Sequence, residues 1–310
     1  MSISRLSIRQ EIAKLNRLDP IRADYALIER TYRRLTDGLH IVVGLTGGKE
    51  IFFRVRKNMD HKPIHVDELS APPAQFVIGY QRCNPPGVPM FYASSTRLGA
   101  LLETRAASGD RVYLSQWIGK EQMPVNRVFD TPEMQNIPSA NTATIHGPHD
   151  DLIITHFDTL FTKRIHSDFS DDYKFTSSIA QQLTTLFPSN EEHKIHDDGF
   201  ISLKFASVFD IERTHNTAMH SAFAKERLEL LHVMECEVIN GPEGRISVRV
   251  SDNAVDLDGD IIKWSGDPNL IPSFRRERKS VPFRFDGTKW RLELHNGDVT
   301  ESYIEALLIE

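Results

Sequence analysis

The chain has 310 residues, 40% of them hydrophobic and 26% charged, which is the balance of an ordinary globular protein and excludes a disordered or fibrous one. That length predicts a main catalytic body with one or two appended segments. A formal net charge of -6 excludes nonspecific duplex binding as the main activity, because phosphate neutralisation needs a concentrated basic surface, although a local anion site stays open.

Cys83 and Cys236 are too few for a disulfide framework and lack metal-ligand spacing, so both are read as reduced thiols. The first residues, MSISRLSIRQEIAKLNRLDP, hold no continuous apolar run, and none elsewhere reaches membrane-spanning length. The expectation is a cytoplasmic protein with no membrane contact.

In chain order, residues 2–18 and 21–37 place Ile12, Leu15 and Leu18, then Tyr25, Ile28, Tyr32 and Leu35, at helical spacing around Pro20, which predicts a helical hairpin. In LHIVVGLTGGKEIFFRVR two β-prone runs flank glycines, and a β-hairpin is the simplest reading. Its GLTGGK lacks the spacing of a triphosphate loop, with Val43 and Glu50 at required positions. A proline-rich connector from Pro63 to Pro89 leads to a strand, MFYAS, and then to a helix, SSTRLGALLETR, capped by Ser94 or Ser95 and carrying Glu103. Helices are expected around Asp151–Ile165 and Tyr173–Phe187, the second ended by Pro188, followed by a strand in GFISLKFAS. Beyond about Asn240 the runs ISVRV, IIKW, VPFRF and KWRLEL predict a β-rich extension. The expected organisation is therefore a helical segment over 1–40, a main domain over 41–240 and the extension over 241–310.

The histidine pairs His193 with His196 and His215 with His220 lack further ligands at diagnostic spacing, so no metal is expected. Asp256, Asp258 and Asp260 lack the terminal Glu of a calcium loop and read as a β-turn, while Arg275–Lys279 reads as a solvated loop with an acidic or nucleic-acid contact as the minor alternative.

One stretch combines several residue types in fixed order: GYQRCNPPGVPMFYASSTRLGALLE, with Arg82, Asn84, Pro85, Pro86, Gly87, Tyr92 and Glu103. It resembles the RES family, which shows an Arg-x-Asn-Pro-Pro-Gly turn, a Tyr-bearing strand and a downstream Glu. The upstream FFRVR is similar to the family's aromatic-Arg strand and places its arginine at Arg54, with Arg56 on the same strand as the alternative. YKFTSSIAQQL and DGFISLKFASV resemble the family's later helix and final strand, with Ser207 as the site serine and Ser202 its competitor, and HNTAM resembles the Asn-containing follow-on. The likeness spans residues 54–238.

The resemblance implies an α+β fold with the split mixed sheet of ADP-ribosyltransferases and flanking helices. It also implies cleavage of NAD at the nicotinamide–ribose bond, as glycohydrolase or phosphorylase, in a toxin held by an antitoxin. NAD is then substrate, and no further cofactor or metal is implied; a homo-oligomer stays open. Transfer of ADP-ribose to a protein or small acceptor is the first alternative, and a noncatalytic binding protein on the same fold is the second. The residues suit the chemistry. Nicotinamide is cationic in NAD and departs neutral, so no general acid is needed, and one carboxylate, Glu103, can oppose the charge developing on the ribose. Arg54 and Arg82 offer planar forks for the diphosphate, Tyr92 a face for a planar base, Ser207 a hydrogen bond, and Asn84 and Gly87 shape the binding turn. Taken alone, Arg82 reads equally as a residue satisfying loop carbonyls, and Tyr92 as a core tyrosine.

Overall fold

The computed structural model describes residues 4–41, 43–46, 50–128, 145–185, 200–208, 215–240 and 246–268, and beyond them only short strands. Helix α1, Arg5–Leu15, starts at Ser4, whose hydroxyl accepts from the Ser7 amide; α2, Tyr25–Thr36, starts at Asp24, whose carboxylate accepts from the Ala26 amide. Ile28, Tyr32 and Leu35 of the predicted stripe form the buried face of α2 with Thr31, while Tyr25 is half-buried. The loop between these helices is docked by Lys174, whose ammonium donates to the carbonyls of Pro20, Ile21 and Ala23.

Strands β1 (His40–Ile41), β2 (Gly44–Leu45) and β3 (Ile51–Lys57) follow, then β4 (Met90–Ser94), helix α3 (Arg97–Glu103), β5 (Arg111–Gly119), β6 (Pro124–Arg127) and β7 (Ile145–His146). Helices α4 (Asp150–Thr162) and α5 (Lys174–Thr184) precede β8 (Ser202–Ala206) and β9 (His215–His220). Helix α6 (Ser221–Arg227), β10 (Leu228–Asn240), β11 (Ile246–Ala254), β12 (Asp256–Asp258) and β13 (Ile261–Lys263) come next. Strands β14 (Ser273–Arg276), β15 (Lys279–Phe285), β16 (Trp290–Glu293) and β17 (Val299–Thr300) form a separate four-stranded meander.

The fold is α+β. Nine strands form one mixed sheet in the order β11-β10-β5-β3-β4-β9-β8-β6-β2, antiparallel throughout except for the parallel β6–β8 pair. The expected hairpin between the runs before and after GLTGGK is not formed among the described residues: β1, in the run before, pairs with β7, β2, within GLTGGK, pairs with β6 at one edge of the large sheet, and β3, in the run after, pairs with β5 and β4 near its middle. A glycine turn signals a change of direction, and only the distant partners decide where each run docks. The nine-stranded sheet also runs past Asn240, because β11 pairs with β10 over eight residue pairs, from Val233 opposite Ala254 to Asn240 opposite Ile246. Residues 256–258 turn through Gly259, at φ +65°, into 261–263, the expected turn. The 275–279 segment, read as a loop, spans the end of β14 and the start of β15.

Helices α1, α2, α4 and α5 cover one face around Tyr32, Phe157, Phe161, Leu203 and Phe205. Helix α3 packs Ala100 and Leu101 on Phe53, Val55, Leu114 and Cys236. Among the described residues no helix is long and apolar enough to cross a membrane. His193 and His196 lie outside the described residues, and among those described no group of three or more His, Cys, Asp or Glu could hold a metal ion.

Candidate active site

The sheet is nearly interrupted at its centre. Strands β3 and β4 share a single residue pair, Phe53 opposite Ser94, whereas β3 pairs with β5 over seven residues. Along this split lies a cleft of about 350 Å³, walled by Phe53, Arg54 and Val55 from β3 and by Tyr92, Ala93 and Ser94 from β4. Arg54 bridges the gap: its Nη1 donates to the Tyr92 carbonyl at 2.7 Å and its Nε to the Leu69 carbonyl at 3.1 Å, with the guanidinium over the Phe91 ring. A side chain thus takes up main-chain acceptors where strand pairing fails. Burial, aided by repulsion from Arg56, pushes the Arg54 guanidinium down to about 9, the mark of a desolvated cation short of counter-charge. Arg56 donates to the Glu68 carbonyl instead and is not in the cleft wall, so Arg54 is the cleft arginine of the pair.

Helix α3 delivers Glu103. Its N-cap is Thr96, whose hydroxyl accepts from the Gly99 amide at 3.0 Å, two residues beyond the expected Ser94 and one beyond Ser95. A Cβ at Gly99 would lie 2.3 Å from Ser94 Oγ, so glycine lets the helix start tightly against β4. Glu103 is the last helical residue, where a carboxylate opposes the helix dipole at a cost of about 0.3–1 kcal/mol. Two side chains hold it there: Ser207 Oγ donates to its Oε1 at 2.6 Å, and Asn216 Nδ2 donates to the same oxygen at 2.7 Å. Among the described residues Oε2 has no hydrogen-bond partner.

Strand register explains the convergence. Phe205 stands opposite Asn216, and alternation puts residues 203, 205 and 207 on the same face, towards the cleft. Ser202 is on the other face, fully buried, donating to the Pro124 carbonyl at 2.8 Å. Ser207 is therefore the serine that meets Glu103, and Ser202 is a packing residue. That other face carries a second carboxylate. Glu50 Oε1 accepts from buried Lys204 Nζ at 2.5 Å and faces His215 Nε2 at 3.7 Å. Against its desolvation, His215 and Lys204 hold the Glu50 carboxyl below its usual range.

The Pro-Pro-Gly turn is tied to β4. The Tyr92 hydroxyl donates to Asn84 Oδ1 at 2.5 Å and accepts from the Cys83 amide at 2.9 Å, while Gly87, at φ +77°, donates its amide to the Val77 carbonyl. Asn84 is fully buried and shapes the turn from behind; Tyr92 contributes its side to the cleft. Arg82 lines the cleft beneath Tyr173, with Nη1 on the Phe161 carbonyl and Nη2 on the Lys163 carbonyl at 3.2 Å. It therefore does what the simpler sequence reading offered, capping the end of α4. Cys83 and Cys236 are free, and burial pushes both thiols up to about 12, so neither supplies a thiolate.

The cleft wall holds three arginines, Arg54, Arg82 and Arg105, against one carboxylate, Glu103, a formal +2 on a chain of net charge -6. Asn216, Tyr173 and Arg105 enter the site without a role assigned from sequence. The HNTAM segment pointed to the first; a lone Tyr and Arg beside helix ends carry no local signal. No family model matches this chain, and no curated protein matches it.

Proposed function

We propose that this cleft cleaves the nicotinamide–ribose bond of NAD, on a RES-type domain with an ADP-ribosyltransferase-like sheet. The observation that carries the reading is Glu103, a single carboxylate oriented by two uncharged donors inside a cleft whose other charged lining residues are arginines. A dinucleotide presents the matching pattern: an anionic diphosphate beside a ribose that becomes cationic when its glycosidic bond breaks.

In the reaction the C–N bond electrons leave with nicotinamide, whose ring nitrogen becomes neutral, so no protein group must donate a proton to it. The ribose carbon is left oxocarbenium-like. Glu103 Oε2 accepts from a ribose hydroxyl and stabilises that positive charge in the proposed step, while Ser207 and Asn216 fix Oε1. Water then forms the new C–O bond and loses a proton to solvent, giving ADP-ribose; inorganic phosphate as nucleophile gives ADP-ribose 1″-phosphate. Hydroxyl and amide donors orient the carboxylate without an ion pair.

Mass spectrometry of the purified chain incubated with NAD, with and without phosphate, tests this. Free nicotinamide is the expected product in both, with ADP-ribose for hydrolysis or its 1″-phosphate for phosphorolysis. Added mass on a protein would move the reading to ADP-ribosyl transfer, and intact NAD under all conditions would overturn it. An NAD-consuming toxin should also arrest growth when expressed, with arrest lost in Glu103→Gln.

A further inference from the structure

The three cleft arginines are not equivalent. Arg54 and Arg82 each place two guanidinium nitrogens on main-chain carbonyls and are 8% exposed. Arg105 is exposed at the cleft wall, two residues after Glu103. Its backbone is in the left-handed region, at φ +50°. The reason is a helix stop: the Ala106 amide donates to the Leu101 carbonyl at 3.2 Å and the Arg105 amide to the Leu102 carbonyl at 3.0 Å, with Ala106 and Leu101 in one apolar cluster. This is the Schellman arrangement, and the position Arg105 occupies is one that glycine fills at no steric cost. A side chain there costs about 1–2 kcal/mol. Residues held in such conformations concentrate at ligand-binding sites. Arg105 Nη2 also donates to the Ile165 carbonyl at 2.8 Å, which holds the guanidinium in place at the cleft.

We infer that Arg105 is the residue that engages the diphosphate of the substrate, selecting a dinucleotide over a nucleoside; this rests on the NAD reading. The helix stop couples the two functions. Glu103 ends the helix and Arg105 is fixed two residues later by the same turn, so the carboxylate for the ribose and the cation for the phosphates have a set spacing. A guanidinium offers a planar pair of donors to phosphate oxygens and stays charged at any working pH. Arg54 and Arg82, each 8% exposed, contribute field from within the wall.

Equilibrium binding of ADP-ribose and of nicotinamide riboside, which share a ribose but only the first of which carries the diphosphate, tests this without requiring turnover. Arg105→Gln should weaken ADP-ribose by about ten- to hundredfold, the scale of one charged hydrogen bond, and leave the riboside unchanged. Arg105→Gly, which relieves the positive φ, should keep the melting temperature while losing ADP-ribose to the same extent. Unchanged ADP-ribose binding in Arg105→Gln, equal loss of both ligands, or no ADP-ribose binding by the wild type would each overturn the assignment. Arg105-dependent ADP-ribose binding by a protein that leaves NAD intact would uphold it and sink the cleavage reading instead.

Discussion

The two faces of the β8–β9 pair each fix a carboxylate, and they do it with opposite chemistry. On one face Lys204 and His215 hold Glu50; on the other Ser207 and Asn216 hold Glu103. The residues are near neighbours in sequence, and strand alternation separates them. A lysine at 2.5 Å neutralises Glu50 and makes it part of the packing. A hydroxyl and an amide orient Glu103 with no ion pair to it among the described residues, the arrangement that the proposed cationic transition state calls for. The difference shows that orientation and neutralisation are separate design variables; on the proposed reading, the donor type separates a working carboxylate from a structural one.

The sharpest way to break the comparison is to remove each charge. Glu103→Gln should lower the rate of nicotinamide release by about 10²–10³, the effect of losing one preorganised electrostatic contact, with the melting temperature held. Glu50→Gln should do the reverse: breaking a buried pair leaves Lys204 without its counter-ion and costs about 3 kcal/mol of stability by denaturant unfolding, with the rate per folded molecule unchanged. Smaller effects follow from the orienting donors. Ser207→Ala and Asn216→Ala should each slow release by about tenfold, and because both act on one oxygen the double variant should fall short of the product of the two.

Acid pH offers the mildest probe. Burial lowers His232 from 6.5 to about 3 and His156 to about 4, so both are carried neutral in the fold. Their contribution is complete above 6.5 and is lost progressively as pH falls from 6.5 towards those values. Glu50, held below its ordinary 4.5, adds stability above 4.5 that is lost as pH falls beneath it. Unfolding free energy should therefore decline from pH 6.5 downward, and Glu50→Gln should remove the Glu50 part of the slope below 4.5 while steepening the part just below 6.5, because burial lowers His215 and Glu50 opposes that shift. A slope below pH 4.5 unchanged in that variant would contradict the assignment.

Much of this was legible because it is local. The amphipathic stripe of α2, the helix that carries Glu103 and the MFYAS strand each follow from periodicity and punctuation over a few residues. What escaped is non-local. The runs flanking GLTGGK read as a hairpin, yet their partners, β7 on one side and β5 and β4 on the other, come from farther along the chain. Arg82 looked equally suited to a diphosphate and to carbonyls, and only the end of α4 arriving beside it decides which acceptors its donors meet. Ser207 has Ser202 as its competitor in the sequence, and strand alternation sets the first towards Glu103 and the second towards Pro124. Arg105 at a position that favours glycine could not be seen before the helix stop was known.

The most direct test is a single-turnover measurement of nicotinamide release from NAD by wild type, Glu103→Gln and Glu50→Gln, each normalised to folded protein. The account predicts release by the wild type, a loss of about 10²–10³ in Glu103→Gln, and an unchanged rate in Glu50→Gln. No release by the wild type, or a Glu103→Gln variant as fast as wild type, would contradict it.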